Sequence, residues 1–156
     1  MCAERAALIS GVYTSNTPSL CVLRYFVKIS FTFASRKGVS VNLDPANLVM
    51  VAGDDPVAAV HNLKDYIVHT HAKDGVMLKA TNPEFIYNVE PMPEELRGVG
   101  FYREVPLGTG SVDFPKYIAA LYEIGYRGFL TIEREVGDNP IADITTAVNF
   151  LKGIIE

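Results

Sequence analysis

Residues 66–72 read YIVHTHA and residues 129–135 read FLTIERE. Each is a short apolar, β-branched run that ends on side chains able to do chemistry. VSVNLD (39–44) has the same form and stops at Pro45. Runs of this length, bounded by turn formers, are predicted as strands. Helix signals lie between and after them. Asp54, Asp55 and Pro56 supply caps and a first-turn proline, and Val57, Val60, Leu63 and Ile67 follow at helical spacing. Asp113 and Pro115 open a second helix, with Phe114, Ile118, Leu121 and Ile124 on one face and Gly125 as its stop. Asn139 and Pro140 open a third, with Ile141, Ile144, Val148, Leu151 and Ile155 on one face. Strand–helix alternation predicts an α/β fold with parallel strands and crossover helices. The strands read as apolar on both faces, the pattern of parallel strands covered on both sides.

Composition sets the limits around this pattern. The chain has 156 residues, 49% hydrophobic and 21% charged, enough for one domain with a core. It falls short of the roughly 250 residues of a complete eight-stranded (β/α) barrel. Fourteen basic and 18 acidic residues leave a formal charge of -4, which disfavours a nucleic-acid partner. Cys2 and Cys21 are too few for a disulfide framework and fit a reducing cytoplasm. The most apolar run, LCVLRYFVKISFTFA (20–34), is broken by Arg24 and Lys28 and is shorter than the roughly 20 residues of a spanning helix, so no membrane partner is expected. Glu4 stands where a signal peptide would carry positive charge. From Lys73 to about Gly110, prolines and glycines prevent a single long element, and connections of this length tend to be functional lids. Residues 1–38 hold strand-like stretches and a Ser/Thr/Asn-rich break at 14–19, and form an N-terminal segment of uncertain structure.

Candidate chemistry sits at the C-terminal ends of the strands, the rim where parallel α/β sheets build their sites. Asp44 ends the first strand, His69 and His71 lie near the end of the second, with Lys73 and Asp74 after them, and Glu133 and Glu135 end the third. Alternation puts the two histidines on one face and the two glutamates on one face. Carboxylate and imidazole ligands of this kind suit Mn²⁺, Mg²⁺, Co²⁺, Zn²⁺ or Fe²⁺. The same residues also serve as helix caps, ion-pair partners or a satisfied structural histidine, and spacing leaves both readings open.

At these residues VNLDPANL (41–48), HTHAKD (69–74), EVPLGTGSVDF (104–114) and GFLTIERE (128–135) stand in one order. Together they resemble the C-terminal part of a sugar phosphate isomerase/epimerase of the xylose-isomerase-like TIM-barrel superfamily. The resemblance covers about residues 39–156 and implies a partial barrel, not a complete eight-stranded one, whose three strands are the sixth, seventh and eighth. It implies a divalent metal ion (Mn²⁺, Co²⁺, Mg²⁺ or Zn²⁺) held by Asp44, His71 and Glu133. His69, Lys73 and Asp74 would face substrate or support the ligands. Gly108 and Gly110 fall in a loop whose backbone approaches the site. Asn47 takes a place where many members carry a histidine, and can hydrogen-bond a sugar hydroxyl.

The implied activity is isomerisation or epimerisation of a sugar or sugar phosphate through an enediolate, with Glu133 as ligand and base. The family's partner glutamate belongs on the fifth strand, and the only carboxylate before Asp44 here is Glu4. Glu84, Glu90, Glu104 or a second copy of the chain could supply one. Without it, the chain would be a truncated form with impaired activity or a non-catalytic sugar- and metal-binding remnant. An inosose-dehydratase-like lyase is the other enzymatic reading. Endonuclease relatives on the same fold need more histidines than the three present. An unclosed barrel leaves open edges and an apolar inner face, which predicts a homo-oligomer.

Overall fold

The structure is a computed structural model that describes residues 40–155. The expectations for residues 1–38, including the two cysteines, lie outside the described residues. Strand β1 (Val41–Leu43), β2 (Ile67–Ala72) and β5 (Leu130–Ile132) form one parallel sheet in the order β1-β2-β5. Asn42 pairs with His69 and Leu43 with Thr70, and His71 pairs with Thr131. Three parallel strands do not close, so the described residues form part of a barrel. A second, antiparallel pair joins β3 (Asp74–Met77) to β4 (Tyr102–Val105). It lies inside the stretch read as irregular, which also holds a short helix α3 (Pro83–Ile86) and a 3₁₀ turn (Glu94–Leu96).

Local capping explains where the helices begin. Asp44 caps α1 (Pro45–Asn47), which runs into a π-helical turn (Leu48–Ala52) closed by Gly53 at φ 69°. Asp55 accepts from the Val57 amide at the start of α2 (Pro56–Leu63). Asp113 accepts from the Lys116 amide at the start of α4 (Phe114–Glu123), and Gly125 follows at φ 79°. These ends match the expected ones, because a carboxylate followed by proline satisfies orphan amides and presets φ. Ile67 departs from expectation: it opens β2 rather than closing α2.

The core lies between the sheet and the helices. Val41, Leu43 and Ala72 pack there with Val60, Leu63, Phe114, Ile118 and Leu121. Behind the sheet, Thr70 donates to the Leu43 carbonyl at 2.8 Å and hydrogen-bonds the buried Tyr117 hydroxyl. The last helix, α5 (Pro140–Ile155), buries Ala147 and Leu151. Ile141, Ile144 and Ile155, expected on its buried face, are exposed, since a sheet of three strands covers only part of that wide stripe.

The opposite sheet face corrects the expectation of an apolar interior. Val41, Leu43, Thr70 and Ala72 are buried, so alternation turns Asn42, His69, His71 and Thr131 the other way. That inner face is polar. Among the described residues no helix is long and apolar enough to cross a membrane.

Candidate metal centre on the inner rim

Asp44, His71 and Glu133 come from the ends of the three parallel strands, and one ligand atom of each lies within 4.8 Å of the others. His71 Nδ1 stands 2.8 Å from Glu133 Oε2 and 3.5 Å from Asp44 Oδ2. This buried nitrogen is aimed between the two carboxylates. Oxygen and nitrogen ligands about 2.0–2.2 Å from one ion stand roughly 3–4 Å apart, so the donor set and its spacing fit a divalent cation. The Asp44 carboxylate is the largest influence on His71 and raises its pKa; burial opposes this, Glu133 reinforces it and the Lys73 ammonium opposes it.

Each ligand is held by its neighbours. The Asp44 carboxylate accepts from the Asn47 backbone amide at 3.1 Å and from Asn47 Nδ2 at 3.0 Å. Asp44 is thus a helix cap and a rim carboxylate at once. Asn47 spends its amide donor on Asp44. His71 Nε2, the outward ring nitrogen, lies 3.0 Å from Asn42 Nδ2. The Glu133 amide donates to the Ala72 carbonyl, which fixes the glutamate just beyond β5.

A charge network stands beside the cluster. Lys73 is only 4% exposed, and its ammonium lies 2.8 Å from Glu135, 3.4 Å from Glu133 and 3.5 Å from Glu104. Burial pulls its pKa down, but the Glu135 carboxylate, and after it Asp44 and Glu133, more than offset this, so the lysine stays charged beyond its ordinary range. Glu104 also accepts from Arg134 at 2.8 Å and from the Glu135 amide at 2.9 Å, and Arg134 donates to Asp143 at 2.9 Å. Glu104 therefore reaches the site's neighbourhood with both oxygens engaged.

The remaining expected site residues are placed as follows. His69 sits one layer below His71 on the inner face, with its Nε2 2.9 Å from the Thr131 hydroxyl and its ring edge-on to His71. Asp74 is 1% exposed; one oxygen accepts from the Gly108 and Gly110 amides at 3.0 and 2.8 Å, the other from Gly75 and Val112 at 2.8 and 3.1 Å. Its carboxylate is held by the loop's amides, Gly108 among them. A Cβ at Gly110 would overlap the Asp74 carboxylate, which is why that position needs glycine. Sequence reasoning missed Asn42, Thr131 and Arg134. Asn42 and Thr131 were findable by extending along β1 and β5 the alternation applied to the histidines. Arg134 carries no such signal, because its meeting with Glu104, a loop glutamate the sequence did single out, is set by tertiary placement.

Parallel strands, helices behind them and polar side chains gathered on the C-terminal rim define the α/β barrel class of protein. The chain belongs to the xylose isomerase-like TIM barrel family, whose model matches residues 25–154. That match begins ahead of residue 39, where the resemblance read from the motifs starts. The chain is similar to the Rhizopine catabolism protein MocC of Rhizobium meliloti, 37% identical over 98 residues, which cover 62% of this chain and 28% of that protein. It also resembles the crystal structure of a xylose isomerase domain protein from Planctomyces limnophilus. There the TM-score is 0.56 at 33% identity, over 77% of this chain and 37% of that one. The chain thus spans about a third of the length of these relatives.

Proposed function

We propose that this chain carries the divalent-metal part of a sugar or sugar-phosphate isomerase/epimerase site, with Asp44, His71 and Glu133 as ligands. The observation that carries the reading is the convergence of three ligand atoms, from three neighbouring strands, on the polar inner face. A divalent ion held there would polarise adjacent carbonyl and hydroxyl oxygens of a sugar and acidify the carbon-bound proton between them. Glu133 is the base. Its Oε2 faces His71 and Lys73, which leaves Oε1 to take the proton. The Lys73 ammonium lies 3.4 Å from Glu133 Oε2, and Asn47 fixes the Asp44 carboxylate. The sugar enters from the open face of the sheet, where the three strands offer ligands on one side only. Self-association through the open strand edges belongs to the same reading.

Calorimetry with Mn²⁺ or Co²⁺ tests the ligand set: the full chain binds one equivalent and His71→Ala loses it. Unchanged binding by the variant would overturn the assignment. Turnover is read separately, as loss of deuterium from a C-labelled ketose in the presence of the metal. Metal binding with no exchange at all would make the chain a non-catalytic sugar- and metal-binding protein.

A further inference from the structure

His71 can serve as a ligand through Nδ1 only if that nitrogen carries a lone pair, and the ring proton then resides on Nε2. The group at Nε2 decides which tautomer is stable, and that group is Asn42. Its Nδ2 stands 3.0 Å from Nε2, while its Oδ1 is buried and makes no hydrogen bond. In this orientation Asn42 donates to Nε2, which places the proton on Nδ1, between the Asp44 and Glu133 carboxylates. A half-turn of the carboxamide exchanges two ends of nearly equal size. Oδ1 then accepts from Nε2–H, and the Nδ1 lone pair faces the carboxylates.

We propose that Asn42 is a positioning residue that sets the tautomer of His71, donating to the ring in the metal-free protein and accepting from it when a divalent cation is held. The inference rests on the reading of Asp44, His71 and Glu133 as ligands. It goes beyond that reading by assigning the group that makes His71 competent. An asparagine suits both states because it carries a donor and an acceptor on one rotatable plane. An aspartate would fix the Nε2–H form, and a leucine would select neither. Asn42 also shares the inner face with Asp44 two residues on, so the strand that delivers the first ligand delivers the support for the second.

The test uses the full chain, Asn42→Leu and Asn42→Asp, with Zn²⁺ as the probe. Loss of a partner that orients a ligating histidine weakens metal binding by about 10- to 100-fold. Asn42→Leu should show a loss of that size by calorimetry, and Asn42→Asp should restore the affinity. The readout that a merely structural role would not move is the ¹⁵N spectrum of the His71 ring. In wild type the proton moves from Nδ1, in the metal-free protein at alkaline pH, to Nε2 in the Zn²⁺ form; in Asn42→Asp it stands on Nε2 in both. Leucine binding as tightly as asparagine, aspartate binding as weakly as leucine, or a ring indifferent to residue 42 would each overturn the proposal. If Asn42→Leu does not fold, the aspartate variant decides alone. If wild type takes up no Zn²⁺, the ligand reading fails, while the metal-free spectra of wild type and Asn42→Asp still judge Asn42.

Discussion

At the scale of single residues, the rim is a place where carboxylates outnumber what one cation can satisfy. Asp44, Glu133, Glu135 and Glu104 gather around the single ammonium of Lys73, with Arg134 holding the far side of Glu104. On the proposed ligand reading, a divalent ion and Lys73 compete for Glu133. Lys73→Met should lower the stability of the metal-free chain, since it removes the ammonium from between Glu104, Glu133 and Glu135, and should tighten Mn²⁺ binding at the same time. A urea titration and a calorimetric titration on one sample would check both signs. A variant that loses stability and metal affinity together would refute the competition. Glu133→Gln keeps the shape but removes the base, so any proton exchange by the chain should fall by about 10²- to 10⁴-fold. At this scale the rim was legible in part: strand ends and alternation bring Asp44, both histidines and both glutamates to it, and only the family resemblance singles out Asp44, His71 and Glu133. The task of Asp74 was not legible, because its partners are backbone amides 34 to 38 residues downstream.

At the scale of elements, the site depends on how firmly the back of β2 is seated, because His71 projects from the strand whose other face carries Thr70. Thr70 has two buried partners, the Leu43 carbonyl on β1 and the Tyr117 hydroxyl on α4. Thr70→Val conserves volume but leaves the Tyr117 hydroxyl buried without a partner, and should cost about 1–3 kcal/mol. Tyr117→Phe leaves Thr70 bonded to Leu43 and should cost only about 0.5–1.5 kcal/mol. Urea midpoints in the reverse order would show that Thr70 does not link helix and strand. The contrast between elements read correctly and incorrectly has one physical cause. Strands β1, β2 and β5 and the starts of α2 and α4 are fixed by local chemistry, apolar runs and carboxylate–proline caps. The β3–β4 pair joins Asp74–Met77 to Tyr102–Val105 across a proline-bearing stretch, and non-local pairing leaves little trace in sequence. The buried face of α5 was misplaced for a related reason: its isoleucines mark an apolar stripe, while the width of the sheet beneath decides how much of it is covered.

At the scale of the whole molecule, the question is what meets the sheet edges that the described residues leave unpaired. Among the described residues β1 and β5 each pair on one side only, through β2. An edge strand offers unpaired amides and carbonyls to another chain. The expected second drive toward association, an apolar inner face, is removed by Asn42, His69, His71 and Thr131, so contact between inner faces loses its hydrophobic basis. The apolar surface lies instead around the β5 edge and the start of α5, where Phe129 is 82% and Ile141 81% exposed. Self-association should therefore run through the β5 edge and leave the rim cluster open to solvent. Light scattering at micromolar concentration should give at least twice the 17.1 kDa of one chain. Phe129→Lys should shift the population toward monomer while Mn²⁺ binding stays as in wild type, because a charge at an edge blocks pairing without touching the ligands. A wild-type monomer at that concentration would remove edge pairing from the account. Loss of metal binding in Phe129→Lys would mean instead that the site is completed across the interface.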